Sequence, residues 1–176
     1  MSCIVGLVEE QNIWIGVDSR VSETDGLIRP YPGTKLFKLN NNIIFAFVGN
    51  VRFGQLLTQI PYENLKNEIE LASLMQEYLL DKMPSGDDLQ SEYLAPVNSL
   101  VIFKGKLFEI LSDFQVHLIE DFTSLGSGSS FAIASLYTSK NMDIGAKERI
   151  LLALSTAAQY DSSTGPPFIV EKFPKR

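Results

Sequence analysis

Cysteine and histidine are almost missing from this chain, with one of each in 176 residues, Cys3 and His117. That excludes a disulfide framework, a zinc ribbon and any metal site needing two imidazoles. Basic residues are also scarce. Fifteen Lys and Arg against 21 Asp and Glu give a net charge of −6, and no window gathers the basic cluster that a phosphate backbone requires, so nucleic acid is not an expected partner. Long apolar runs are absent as well, none approaching the roughly 18 residues of a membrane helix. Residues 1–10 carry no basic leader, and the apolar run Cys3 to Val8 is too short for a signal segment. The expected setting is therefore soluble, reducing and cytoplasmic, with no membrane contact. The shortage of histidine bears on chemistry: an enzyme of this composition must move its protons through an amine or a carboxylate.

What is present is enough apolar material, 45% of the chain, to build one sizeable core, so residues 1–176 are read as a single domain. The apolar runs Cys3 to Val8 and Ile13 to Val17 flank a polar turn and read as a hairpin. A loop with Gly26, Pro30, Pro32 and Gly33 follows. Lys35 to Leu39 and Ile43 to Val48, with three asparagines from Asn40 between them, read as a second hairpin. Helical spacing appears from Val51 to Ile60 and from Ile69 to Met83, stopped by Pro84, Ser85 and Gly86. Strands are expected at Asn98 to Phe103, Leu107 to Leu111 and Val116 to Ile119. Helices follow at Ser129 to Ser139 and Ala146 to Tyr160, then a last strand at Phe168 to Phe173. Runs of strands followed by runs of helices point to an α+β layered domain, two sheets covered by helices, and against a doubly wound fold.

Three constellations are candidates for chemistry. A Ser-His-Asp triad would have to use His117, in a strand and with no G-x-S-x-G elbow anywhere, so an ordinary strand histidine is the better reading. The run Gly126-Ser-Gly-Ser-Ser-Phe131 opens a helix but lacks the third glycine of a dinucleotide fingerprint and the lysine of a P-loop. By itself it is a strand-to-helix turn. The third is the amino terminus. Ser2 is small enough for Met1 to be removed, which would leave a serine with its own α-amine. Such an amine has an ordinary pKa of about 7.7 to 8.0, and a nearby ammonium would lower it further. It can then take the proton of its own hydroxyl without histidine.

Several segments carry a resemblance spread in order over most of the chain. Ser2-Cys-Ile-Val-Gly, Ile15-Gly-Val-Asp18-Ser-Arg20, Lys35 with Leu36 to Leu39, Ala46-Phe-Val-Gly49, Leu125-Gly-Ser127-Gly-Ser and Asp161-Ser-Ser-Thr164-Gly165 resemble the proteasome β-subunit and the bacterial ATP-dependent protease subunit HslV. The sixteen positions from Ser2 to Asp18 and the fourteen from Lys35 to Gly49 agree with that family's spacing. Counting from Cys3 would break the first agreement, so its thiol is read as structural. The resemblance implies an amino-terminal nucleophile hydrolase fold, a four-layer α/β/β/α sandwich of two packed antiparallel sheets between helices.

For the site, the resemblance implies Ser2 in place of a nucleophilic threonine, Asp18 and Lys35 as a buried pair beside it, and the Gly49 NH as oxyanion hole. Ser127, Asp161 and Thr164 would form a hydroxyl and carboxylate network around the amine. Neither a cofactor nor a metal is called for. A peptide or unfolded protein would be the substrate, a homo-oligomeric ring the assembly, and an AAA+ unfoldase ATPase a possible partner. Any propeptide would be Met1 alone. Serine for threonine gives up the methyl that fixes the hydroxyl rotamer, while Asn50 and Pro166 stand where the family has glycine. Two other readings share the resemblance: a non-proteolytic amidase on the same fold, and a catalytically inactive assembly subunit that keeps Met1.

Overall fold

The computed structural model describes residues 2–22, 28–30, 33–40, 43–82 and 97–175. Met1, Gly26 and Pro32 of the first loop, Asn41 and Asn42 of the second hairpin turn, and the helix stop at Pro84 to Gly86 lie outside them. In chain order the elements are β1 (Cys3–Val8), β2 (Asn12–Val17), β3 (Arg20–Ser22), β4 (Ile28–Pro30), β5 (Leu36–Asn40), β6 (Ile43–Val48), α1 (Val51–Leu57), α2 (Glu68–Lys82), β7 (Asn98–Phe103), β8 (Lys106–Ile110), β9 (Val116–Ile119), β10 (Phe122–Gly126), α3 (Ser129–Thr138), a short 3-10 turn (Ser139–Asn141), α4 (Ala146–Tyr160) and β11 (Ile169–Pro174).

Two main antiparallel sheets result, one of four strands in the order β10-β1-β2-β11 and one of five in the order β5-β6-β7-β8-β9, beside a two-stranded antiparallel ribbon β3–β4. The apolar runs of β1, β6 and β7 are nearly continuous because these strands are covered on both faces, so alternation there separates one core from another rather than core from solvent. In β6, Ile44, Ala46 and Val48 face the other sheet, while Ile43, Phe45 and Phe47 join a cluster with Leu71, Met75 and Leu79 of α2. In β1, Ile4 faces between the sheets, while Cys3, Val5 and Leu7 pack with Ile150, Ala153 and Leu154 of α4. Three stacked cores thus separate four layers, the α/β/β/α sandwich expected from the sequence. Gly16 lets α4 approach β2, since a Cβ there would stand 2.3 Å from Ile150 Cγ2.

The differences from expectation are local. The ribbon β3–β4 and the strand β10 carry too few apolar residues, or too many polar ones, to announce themselves; β10 reads Phe-Thr-Ser-Leu-Gly and exists because it pairs with β1, Gly126 opposite Cys3. The first helix stops at Leu57, not Ile60, where Thr58 Oγ1 takes over the Gln55 carbonyl at 2.7 Å.

The register decides where the site falls. Ile4 pairs with Val17, so the residues just before β1 and just after β2, Ser2 and Asp18, meet at one end of the four-stranded sheet. Ile169 also pairs with Val17, which brings residues 161–165 to the same end. In the other sheet Leu36 pairs with Ala46, and Phe47 N donates to Lys35 O at 3.2 Å, so Lys35 and the Val48–Gly49 end of β6 lie together.

Candidate active site

Lys35 is the centre of this end of the sandwich. It is one of the largest fully buried side chains, at 2% exposure, beside Asp18 at 0% and Ser2 at 4%. An ammonium has three protons to give, and each has an acceptor: Ser2 Oγ at 2.6 Å, Asp18 Oδ1 at 2.7 Å and the Arg20 carbonyl at 2.6 Å. Burial lowers the Lys35 pKa, opposed by the attraction of Asp18. A cation so held cannot rotate away from Ser2 Oγ, and it favours any negative charge that develops on that oxygen.

Asp18 is saturated in turn. Oδ1 accepts from Cys3 N at 3.1 Å as well as from Lys35, and Oδ2 accepts from Arg20 N at 3.0 Å and Gly165 N at 3.2 Å. Three of the four donors are backbone amides, so the carboxylate is fixed by the chain itself. The reciprocal bond from Asp18 N to Cys3 O, at 3.2 Å, extends the β1–β2 ladder by one step.

A second group sits beside the first. Asp161 follows α4, whose last turn it closes through Asp161 N to Ala157 O at 2.8 Å. Its Oδ2 accepts from Ser127 Oγ at 2.7 Å and Thr164 Oγ1 at 2.6 Å, and Oδ1 accepts from Ser163 N at 3.2 Å. Burial would raise this pKa, but the two hydroxyls and the amide outweigh it and hold the carboxyl below its ordinary value. Ser127 Oγ also stands 3.4 Å from the Ser2 carbonyl, which links the two groups.

Glycines make the junction possible. Gly126 has φ +106°, and a Cβ on it would stand 2.0 Å from the Ser2 carbonyl oxygen and 3.2 Å from a Val48 methyl. The Val48–Gly49 end of β6 therefore lies against the Ser2 backbone. Gly49 itself has φ +111°, a conformation that favours glycine. Asn50, one of the departures noted in the sequence, caps α1 by accepting from Arg52 N at 2.9 Å.

Ser2, Asp18 and Lys35 are thus in direct contact, as are Ser127, Asp161 and Thr164, with Gly49 on the adjoining strand end. His117 is elsewhere, half exposed on the edge strand β9 opposite Glu109. Cys3 is fully buried against Ser124 Oγ at 3.4 Å, and burial pushes its thiol up to about 12, so it stays protonated and is no competing nucleophile. Among the described residues no group of three His, Cys, Asp or Glu is placed to hold a metal, and no helix is long and apolar enough to cross a membrane. Reading the sequence alone missed the Arg20 carbonyl and the Gly165 and Cys3 amides as partners of the pair; backbone groups leave no trace in residue identity.

No family model and no curated protein matches the chain. Solved structures do. The chain superimposes on Thiobacillus denitrificans BPH in complex with epoxomicin with a TM-score of 0.79 at 16% identity, covering 99% of each chain. HslV from Trypanosoma brucei gives a TM-score of 0.72 at 18% identity, over 97% of this chain and 98% of that one. Anbu, an ancestral beta-subunit from Yersinia bercovieri, gives 0.72 at 17% identity, over 98% and 81%. Likeness of this extent at this identity shows the fold: the chain has the architecture shared by HslV, Anbu and BPH.

Proposed function

We propose that this chain is a peptidase of the proteasome type, in which loss of Met1 makes Ser2 both nucleophile and base. The observation that carries the reading is the buried hydroxyl of Ser2 accepting at 2.6 Å from Lys35, itself locked on Asp18 at 2.7 Å. In the proposed reaction the freed α-amine takes the Ser2 hydroxyl proton while Oγ bonds to the scissile carbonyl carbon. Lys35 supports this twice, lowering the proton affinity of the amine by its charge and stabilising Oγ as it becomes anionic. The Gly49 NH takes the role of oxyanion donor. The protonated amine then passes its proton to the leaving nitrogen as the C–N bond breaks. Water, deprotonated by the same amine, hydrolyses the Ser2 ester. Ser127, Asp161 and Thr164 orient the amine, and the low pKa of Asp161 keeps a negative charge beside the ammonium that forms.

Peptides or unfolded proteins are the proposed substrates, with a ring of identical copies as the working assembly and an AAA+ unfoldase ATPase supplied by another chain. Assembly is supported by α3, which has no charged residue: Phe131 is exposed against Tyr160 of α4, with ring centroids 5.5 Å apart and Leu152 nearby, and Ile133 and Tyr137 are exposed elsewhere on the same helix. Light scattering tests this: a protein that remains monomeric at working concentration argues against the ring.

Epoxomicin, the ligand of the BPH complex, is the probe of choice for the activity. Covalent labelling on Ser2, absent in Ser2→Ala and in protein retaining Met1, is the expected result; labelling that persists in Ser2→Ala moves the nucleophile elsewhere. Intact mass of protein from its own host decides the inactive-subunit reading, since a chain beginning with Met1 or acetylated on Ser2 cannot work this way. Turnover of small amides but not peptides would favour the amidase.

A further inference from the structure

The turn after β2 runs beside residues 162–165 and is tied to them at several points. Ser19 N donates to Gly165 O at 3.2 Å, and Gly165 N donates to Asp18 Oδ2 at 3.2 Å. These bonds hold the far end of the segment. Its exposed apex, Ser162, is tied through its carbonyl to Arg20 Nη1 at 2.9 Å. The guanidinium also lies directly on Gly165: a Cβ there would stand 2.3 Å from Arg20 Nε, 2.4 Å from Cζ and 2.5 Å from Nη2. A flat, permanently charged group that both donates and covers a glycine is something lysine cannot reproduce.

We propose that the Arg20 side chain is a positioning residue, a clamp over residues 162–165 that keeps Asp161 and Thr164 in register with Ser127 and Ser2. Its backbone already serves the other group, since Arg20 N donates to Asp18 and Arg20 O accepts from Lys35. One residue therefore ties the buried pair to the hydroxyl network, the backbone to one and the side chain to the other. Asp161 is anchored at its own amide by α4 and Thr164 N donates to Asp161 O at 3.1 Å, so movement of the apex is transmitted to the Thr164 hydroxyl through a single tight turn. The glycine at 165 is required for the clamp to close, not for the segment's own path, because the atoms a methyl would meet are the end of a flexible side chain.

That last point supplies the test. Arg20→Ala removes the clamp; Gly165→Ala displaces it while leaving every backbone bond in place. Amide hydrogen exchange at Ser163 and Thr164 should accelerate about tenfold in each, with the rest of the four-stranded sheet unchanged, and the double variant should be no faster than either single one. Arg20→Lys should fall between. Unchanged exchange in Arg20→Ala overturns the clamp, as does an effect in Gly165→Ala alone. The consequence for reaction rests on the proposed peptidase reading and is measured separately, as epoxomicin labelling resolved into binding and maximal rate. The maximal rate should fall about tenfold with binding unchanged, and a rate within about twofold of wild type overturns the positioning role. Wild-type protein that takes no label defeats the peptidase reading, and the exchange experiment still decides the clamp.

Discussion

Two carboxylates each stand one side chain away from Ser2 in space, Asp18 through Lys35 and Asp161 through Ser127, and the molecule treats them in opposite ways. Asp18 is wholly buried, accepts from three backbone amides and carries its own cation. Asp161 is half-buried, accepts from two hydroxyls and one amide, and has the exposed Ser127 as a partner. The first arrangement is costly to assemble and costly to disturb, because neither charge can find water if the other is lost. The second can exchange partners, since hydroxyls rotate and donate or accept as required. In the proposed reaction the first kind of centre holds a charge still beside Ser2 Oγ, and the second can adjust its hydroxyls as the α-amine gains and loses a proton.

The comparison is broken most severely at Lys35. Lys35→Ala leaves the Asp18 charge buried without its cation, and about 3–5 kcal/mol of stability should go with it. Equilibrium denaturation reads this as a lower midpoint with an unchanged slope. Replacing both members, Asp18→Leu with Lys35→Met, removes the stranded charge but orphans the Cys3, Arg20 and Gly165 amides, at about 1–3 kcal/mol each, so the double variant should be no more stable than Lys35→Ala and epoxomicin labelling should stay absent. A double variant clearly more stable than Lys35→Ala would mean that the stranded charge outweighs the amides around Asp18.

Next in size is the hinge between the two centres. Gly126→Ala puts a methyl into the Ser2 carbonyl and asks an L-residue to hold φ +106°. Strain of this kind costs on the order of 1–3 kcal/mol, and here the backbone of the proposed nucleophile must move to relieve it. Thermal unfolding should show the loss and labelling should fall with it; a stable, fully labelled Gly126→Ala would mean that Ser2 tolerates displacement.

Much of this was legible beforehand because of how the strands are written. Runs such as Ile43 to Val48 are apolar on both faces, so their existence and the layered class followed from the pattern, whereas β10, Phe-Thr-Ser-Leu-Gly, is a strand only by virtue of its neighbour. That the seven candidate residues belong together was legible only through the family resemblance, with its register checked by the spacings from Ser2 to Asp18 and from Lys35 to Gly49. A hairpin that pairs Ile4 with Val17 must bring Ser2 to Asp18, but nothing in residue identity announces the amides that saturate Asp18 or the guanidinium that covers Gly165.

The smallest effect separates the two centres most cleanly. Asp161→Asn keeps the side chain's shape, leaves one oxygen to accept a hydroxyl and removes the charge proposed to stand beside the Ser2 amine. Labelling should slow more than stability changes, since no buried cation is stranded. The pH dependence follows from the direction of its shift. The folded protein holds this carboxyl below its ordinary 3.8, so between the two values the unfolded chain binds more protons than the folded one. The ionised form therefore contributes stability that is fully present above pH 3.8 and is lost as the pH falls through the lower folded value. The amide of the Asp161→Asn variant does not titrate and has no such contribution to lose. The gap in stability between wild type and Asp161→Asn should be constant from about pH 7 to 5 and narrow as the pH is lowered below the ordinary 3.8. A gap that persists well below that value would show that Ser127 and Thr164 bind the neutral acid as well as the anion, in which case Asp161 does not differ from a neutral hydrogen-bonding group.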